Sequence, residues 1–74
     1  MTKQEAYKNL YGRDKRAHHN LKEEEYMAVS MKNENPKSFY NRFCGVINAY
    51  EKIGLLTFEE NEAIKGDVCK QMFP

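Results

Sequence analysis

The second half of the sequence contains an apolar repeat with helical spacing, and this repeat constrains the fold more than any other feature. Its apolar side chains recur every three or four residues, which is typical of an amphipathic helix. They are Phe39, Phe43, Val46, Ile47, Tyr50 and Ile53. Asn35 followed by Pro36 is a strong start signal, because proline lacks only an amide proton that the first helical turn does not use. Gly54 suits a C-terminal cap, so the pattern predicts a helix over 36–53.

A second helix follows almost immediately. Thr57 and Glu60 have the spacing of a capping box, in which the threonine oxygen accepts the third amide proton of the helix and the glutamate reaches back. The apolar positions that follow lie one turn apart and predict a helix over 58–72. A connection of about four residues forces two helices to lie antiparallel as neighbours. The side chains expected to meet between the two helices are Phe43, Ile47, Ile64 and Val68.

The predicted hairpin brings two pairs of residues to the same level. Gly45 lies level with Gly66, and Cys44 lies level with Cys69. Two facing glycines allow the backbones to approach closely, which would offset the cost of about 1 kcal/mol that a glycine imposes inside a helix. The two cysteines are candidates for mutual contact. Two cysteines do not make the disulfide framework of a small secreted protein, so we expect reduced thiols.

The start of the chain carries signals for another helix. Thr2 and Glu5 repeat the capping-box spacing and predict a helix that begins at Lys3. Gly12 is placed to end this helix as a left-handed cap. A helix of this length is marginal alone, so it must pack against the rest of the chain.

The next helix has a thin apolar stripe and is predicted over about 15–31. Asp14 is one candidate for its N-cap, and Asn20 with Glu23 three positions later is a competing one. Pro36 disfavours helical geometry in the residue before it, so this helix must end upstream of that point.

These elements predict a single all-α domain over residues 1–74. The expected architecture is a small three- to four-helix bundle built on the antiparallel hairpin of about 36–53 and 58–72. No apolar run approaches the roughly 18 residues that span a membrane, and the N-terminal residues are too polar for a signal peptide. We therefore expect a cytoplasmic protein that does not act on a membrane.

The sequence lacks the motifs that support catalysis. It contains no glycine-rich phosphate loop, serine nucleophile elbow or calcium loop, and a chain of 74 residues has little depth for a water-excluding pocket. Acidic clusters at 23–25 and 59–62 are expected to face water or to cap helices. We expect no enzymatic activity, no cofactor and no small-molecule substrate.

The adjacent residues His18 and His19 raise the alternative of a zinc site shared with Cys44 and Cys69, or of a His-Asn-His type nuclease. Neighbouring residues on a helix point about 100° apart, so the two histidines cannot form the i, i+4 pair that chelates one ion. We therefore interpret them as part of a solvated polar stretch and expect no metal.

Positive charge is concentrated at the N-terminal end of the chain. Residues 1–22 carry six basic and two acidic side chains, whereas 23–74 carry six basic and nine acidic ones. Lysine and arginine on one surface are sufficient for contacts with phosphates. The candidate patch for nucleic acid or another anionic partner consists of Arg13, Lys15, Arg16, His18, His19 and Lys22. A helix-turn-helix mode is disfavoured, because its recognition helix, 58–72, would begin with glutamates that phosphates repel.

The aromatic residues indicate a protein interface. The nine tyrosines and phenylalanines exceed what a core of this size needs, and tyrosine is enriched at interfaces. The candidates at the edges of the apolar stripes are Tyr7, Tyr11, Tyr26 and Tyr40. We expect another protein or a second copy of the chain as the partner, with nucleic acid as the alternative.

Residues 39–45 and 49–60 carry an aromatic-Asn-Arg start followed by an Ala-Tyr-x-x-x-Gly-Leu-x-Thr turn. This pattern resembles the C-terminal hairpin of small, mostly uncharacterised proteins carried by phages and mobile elements of Gram-positive gut bacteria. The resemblance covers about half of the chain, and residues 1–34 lie outside it. It implies an accessory or regulatory role exerted by binding a host or defence protein, and it carries over no catalytic residue.

Overall fold

A computed structural model describes all residues from 1 to 74 and contains four α-helices and no strand. The helices are α1 (Lys3–Arg13), α2 (Lys15–Ser30), α3 (Pro36–Lys52) and α4 (Phe58–Met72). The predicted all-α bundle is confirmed. None of the four helices has the length and apolar character needed to cross a membrane.

Side-chain caps fix where three of the helices begin. The Glu5 amide donates to the Thr2 hydroxyl at 3.1 Å, and the Thr2 amide donates to the Glu5 carboxylate at 3.0 Å, which completes the predicted capping box. Thr57 and Glu60 form the same pair of bonds at the start of α4. Asn35 accepts the amide proton at the third position of α3. These local signals place the starts of α1, α3 and α4 at the predicted residues.

Asp14 alone separates α1 from α2. Its backbone N–H donates to the Leu10 carbonyl at 2.8 Å, which ends α1, and its side chain accepts from the Ala17 amide at 3.0 Å, which starts α2. Of the two predicted starts of α2, Asp14 is therefore the one used, and Asn20 lies inside the helix. The prediction that Gly12 ends α1 as a left-handed cap is wrong, because this residue stays helical and Asp14 ends the helix instead.

The turn between α3 and α4 has the predicted glycine cap. Gly54 adopts a φ of +86°, in the left-handed region that favours glycine. The Gly54 amide donates to the Glu51 carbonyl at 3.0 Å, and the Leu55 amide donates to the Tyr50 carbonyl at 2.9 Å, which is the Schellman pattern. Leu56 follows at once and is buried, so the turn also closes one end of the core.

The four helices form a ring around one core. Helix α1 packs against α2 and α4, α3 packs against the same two helices, and α2 also touches α4 across the ring. All four residues predicted to line the hairpin seam are buried in this core. Its side chains are Ala6, Tyr7, Leu10, Ala17, Leu21, Ala28, Phe43, Ile47, Leu56, Ile64, Val68 and Met72.

Two expectations about the hairpin are wrong. Gly45 and Gly66 are exposed, and a methyl group added to either would meet no atom within 4 Å, so they do not face each other. Ile53, expected in the apolar stripe, is 70% exposed because α3 ends before it. The length of the connection determines which residues are level along the hairpin, whereas their direction around each helix depends on packing.

Candidate protein interface on helix α2

The outward side of α2 carries the most exposed tyrosine of the chain. Tyr26 is 78% exposed, and Met27 beside it is 41% exposed. Together with His19, Lys22 and Glu23 they line a shallow, open groove of about 330 Å³. We call these five residues the α2 face. Their spacing places them on one side of the helix, opposite the side that is buried in the core.

The α2 face has an aromatic centre with opposite charges on its two flanks. Successive residues of an α-helix are about 100° apart, so His19 and Tyr26 project within about 20° of each other. Lys22 and Glu23 project about 50° to either side of that direction. Lys22 and Glu23 therefore lie on opposite flanks of the face, and the exposed basic pair 15–16, seven residues earlier, continues both flanks.

Contacts within the chain orient the polar side chains of this face. His19 Nε2 lies 3.0 Å from Glu23 Oε1, and Lys22 Nζ lies 5.0 Å from the centre of the Tyr7 ring in α1. Exposed ion pairs and exposed cation–π contacts each contribute no more than about 1 kcal/mol. These contacts therefore direct the side chains without removing them from the surface.

Of the four tyrosines predicted at an interface, only Tyr26 lies on the α2 face. The prediction for Tyr7 is wrong, because this side chain is 4% exposed and its hydroxyl donates to Glu25 Oε1 at 2.7 Å. Burial, together with that carboxylate, raises the pKa of Tyr7. Tyr11 is half exposed at the junction of α1 and α2. Tyr40 is half-buried, and its ring packs edge-to-face on Phe73.

Arg13, predicted in the basic patch, forms an ion pair within the protein although its side chain remains 39% exposed. Its guanidinium contacts Glu60 Oε1 at 2.5 Å and donates to the Leu55 carbonyl at 3.1 Å. Glu60 was expected to cap α4 or to face water; it caps the helix, but its side chain is only 1% exposed. Its carboxylate accepts hydrogen bonds from the Asn9 side chain and from the Thr57 amide, both at 2.8 Å. Burial disfavours the charged carboxylate, but these donors outweigh it and lower the pKa of Glu60 to about 2. The charge of Arg13 is therefore compensated within the protein by Glu60.

Aromatic rings cover another part of the basic segment. His18 packs between Tyr7 and Tyr11, with ring centroids 5.6 Å and 5.2 Å away in edge-to-face geometry. Burial lowers the pKa of His18, and neighbouring positive charge on α2 lowers it further. His18 is therefore a packed residue rather than the solvated one that we predicted. Lys15 Nζ stands 5.5 Å from the centre of the Tyr11 ring, and Arg16 is exposed.

No known protein family, curated protein or solved structure matches this chain. Its function is therefore inferred from its own surfaces and contacts. Two residues of the α2 face, Glu23 and Met27, were not among the predicted site residues. Their spacing of four and eight residues from His19 places both beside Tyr26, and this spacing is the signal in the sequence that identifies them.

The two cysteines approach one hydroxyl group from different helices. Cys44 in α3 and Cys69 in α4 are free and half-buried, and both lie next to the Tyr40 hydroxyl. Burial, and then the two thiols, raise the pKa of Tyr40. No group of three or more histidine, cysteine, aspartate or glutamate side chains is arranged to hold a metal ion.

Proposed function

We propose that this protein is a small interaction or regulatory module without catalytic activity, and that it binds a protein partner through the α2 face. The observation that supports this most is the 78% exposure of Tyr26 beside Met27, on a helix whose other side is buried. Tyrosine and methionine are enriched at protein interfaces, and tyrosine often anchors them. A partner that covers these two side chains would remove their apolar surface from water, and this burial would stabilise the complex.

We further propose that the chain is a cytoplasmic accessory protein of a phage or mobile element. The pattern of residues 39–45 and 49–60 supports this origin through its resemblance to hairpins of such proteins. The protein partner is then a host or defence protein or a second copy of the chain. Sequencing the genes on either side tests the origin, since a neighbourhood of ordinary metabolic genes would contradict it.

Affinity capture with matched variants tests the interface. The double variant Y26A/M27A truncates the two exposed apolar side chains of the α2 face. The control I53A/F58A truncates two side chains of comparable exposure, 70% and 65%, near the α3–α4 turn. After cross-linking, we expect the wild type and the control to capture the same partner protein, and we expect Y26A/M27A not to capture it. Retention by Y26A/M27A would show that the α2 face is not the interface.

A nucleic-acid-binding accessory role for segment 13–22 is the second candidate. Lys15 and Lys22 stand over tyrosine rings, and bases of single strands stack on aromatic side chains within positively charged grooves. The ion pair between Arg13 and Glu60 weighs against this candidate, because it compensates the charge of one of the predicted cations within the protein.

Fluorescence anisotropy with generic single-stranded and duplex oligonucleotides tests the second candidate. Binding through the segment should weaken steeply with salt and should fall in the K15E/R16E variant. The K32E/K37E variant makes the same change in net charge at two exposed lysines outside the segment and should bind like the wild type. The absence of binding at about 50 mM salt would eliminate this role, since phosphate contacts are strongest at low salt.

A further inference from the structure

We infer that Cys44 and Cys69 form a redox-active dithiol site, which a small-molecule disulfide such as glutathione disulfide converts into a reversible bond between α3 and α4. This inference goes beyond the proposed function and does not depend on the α2 face, because it concerns the α3–α4 hairpin. Both cysteines are free and half-buried, so a small molecule reaches each thiol without unfolding the chain.

A contact between two aromatic rings places the two cysteines at the same level of the hairpin. The rings of Tyr40 and Phe73 pack edge-to-face with their centroids 5.6 Å apart. Each ring is four residues, or about one helical turn, from the cysteine that is nearest to it in the sequence. Because α3 and α4 run antiparallel, a step of four residues from each ring towards the α3–α4 turn reaches Cys44 and Cys69 together.

A polar contact closer to the turn shows which flanks of the two helices face each other. The Asn61 side chain in α4 donates to Asn48 Oδ1 at 3.0 Å and to Glu51 Oε1 at 2.7 Å, both in α3. Asn48 follows Cys44 by four residues, and Asn61 precedes Cys69 by eight. Residues four or eight positions apart lie along one flank of a helix. Each cysteine therefore lies on the flank that faces the other helix.

The spacing of packed helices suits a disulfide at this level. Their axes lie about 8–10 Å apart and Cα atoms lie about 2.3 Å from each axis, so Cα atoms on facing flanks approach the range of about 4.4–6.8 Å that a disulfide spans. The Tyr40 hydroxyl lies next to both thiols, which places the two sulfur atoms around one point. The bond therefore joins side chains that the folded hairpin already holds together.

The oxidation proceeds by two steps of thiol–disulfide exchange. The thiolate of one cysteine attacks a sulfur atom of the small disulfide, forms a mixed disulfide and displaces the first small thiolate. The thiolate of the other cysteine attacks the protein sulfur of the mixed disulfide and displaces the second small thiolate. The two protons from the cysteines protonate the two leaving thiolates, so the protein loses two electrons and the oxidant becomes two thiols. An excess of small thiol reverses both steps.

The bond links the stability of the domain to its redox state. It closes a loop from residue 44 to residue 69 that contains the α3–α4 turn, and such a cross-link stabilises a protein mainly by restricting the unfolded chain. We expect the oxidised chain to melt at least about 10 °C above the reduced one. Disulfides in reducing compartments are usually transient and redox-sensing, so the reduced form is the resting one.

Mass spectrometry of the full chain tests the dithiol site. The reduced chain at about 10 µM is incubated with about 1 mM glutathione disulfide and then quenched with N-ethylmaleimide. We expect a monomer that has lost two hydrogen atoms and takes up no N-ethylmaleimide, with its tryptic peptides 43–52 and 66–70 joined. Dithiothreitol should restore both thiols. The single variants C44S and C69S should each carry one glutathione instead and should gain no such increase in melting temperature.

A matched variant separates the facing direction from simple proximity in the sequence. C69S/K70C moves one thiol to the next residue of α4, an exposed position about 1.5 Å along the helix and about 100° around it. The number of thiols and the length of the closed loop are almost unchanged, but the side chains no longer point at each other. We expect the internal disulfide to form at least about tenfold more slowly. Thermal unfolding of each reduced variant shows whether the fold is retained.

Several results would overturn the inference. A wild-type chain that stays reduced, carries glutathione on both cysteines or becomes a disulfide-linked dimer does not hold the two thiols within reach of each other. Equal rates of internal disulfide formation in the wild type and C69S/K70C would show that facing flanks are not required. An oxidised chain that melts no higher than the reduced one would show that the bond distorts the hairpin. The affinity capture with Y26A/M27A tests the proposed function separately.

Discussion

The buried carboxylate of Glu60 depends on Arg13 for its charge balance. Glu60 is 1% exposed in the folded protein, so the R13A variant removes the ionic donor of a buried carboxylate and leaves its charge poorly compensated. We expect the free energy of unfolding to fall by about 2 kcal/mol, measured by urea denaturation. R16A truncates an exposed arginine nearby and should change it by less than about 0.5 kcal/mol. Equal losses in the two variants would contradict a specific role for Arg13.

The same carboxylate predicts how the protein responds to acid. Glu60 binds a proton at its ordinary pKa of 4.5 in the unfolded chain, but only near a pKa of about 2 in the folded one. The unfolded chain therefore binds more protons between these values, and the free energy of unfolding falls as the pH decreases through that window. In R13A the pKa of folded Glu60 should rise, so this dependence on pH should become shallower. A slope equal to that of the wild type would show that the other donors hold the charge without Arg13.

The packed imidazole of His18 predicts that the free energy of unfolding also depends on pH in a higher range. Its pKa is lowered in the folded protein, so the unfolded chain binds the proton more readily. The free energy of unfolding should therefore increase as the pH rises from the folded pKa through about 6.5, the ordinary value for histidine. In the H18F variant, a phenyl ring keeps the contacts with Tyr7 and Tyr11 but does not titrate, so this increase should disappear. Urea denaturation across pH 5–8 measures the effect, and H19Q should retain most of it.

Substitution of glycine by alanine should have opposite effects on stability inside the helices and in the α3–α4 turn. Gly45 in α3 and Gly66 in α4 are exposed, and an added methyl group meets no neighbouring atom at either site. G45A and G66A should each raise the free energy of unfolding by roughly 0.5–1 kcal/mol, because alanine restricts the unfolded chain and favours the helix. G54A should lower it by about 1–2 kcal/mol, since Gly54 holds a φ of +86° that alanine adopts poorly. Destabilisation by G45A and G66A would show that the helices approach closely at these positions after all.

The ends of the helices could be predicted from the sequence because caps are local. The side chains of Thr2, Asn35 and Thr57 each accept a hydrogen bond from an amide only three residues away. A short sequence pattern is therefore enough to predict where each of these helices begins. Burial of particular side chains was harder to predict, because it depends on which helix lies opposite. Tyr7 was expected at a surface and is buried, and Ile53 was expected in the core and is exposed.

Polar contacts between distant parts of the sequence complete the fold. Lys3 contacts Glu25 of α2 and Asp67 of α4, each at 2.8 Å. Burial disfavours the charged ammonium group, but these two carboxylates outweigh it and raise the pKa of Lys3. At the other end of α1, Arg13 contacts Glu60 of α4. No pattern in the sequence links residues so far apart, which is why Arg13 was assigned to a free basic patch. The α2 face is different: all five of its residues follow from the spacing within one helix, and only their exposure required the fold.

These contacts predict that α1 is essential to the whole domain although it is marginal alone. A chain of residues 14–74 lacks three buried core residues, Ala6, Tyr7 and Leu10, and leaves Glu60 without Arg13. Each large core side chain removed costs about 2–5 kcal/mol, whereas a domain of this length has only about 4–11 kcal/mol of stability. The shortened chain should therefore lose most of its helical circular dichroism and its cooperative thermal transition. A synthetic peptide of residues 1–13, which should bind the groove between α2 and α4, should restore both at high concentration. A shortened chain that unfolds cooperatively with nearly full helicity would show instead that α2, α3 and α4 form a sufficient core by themselves.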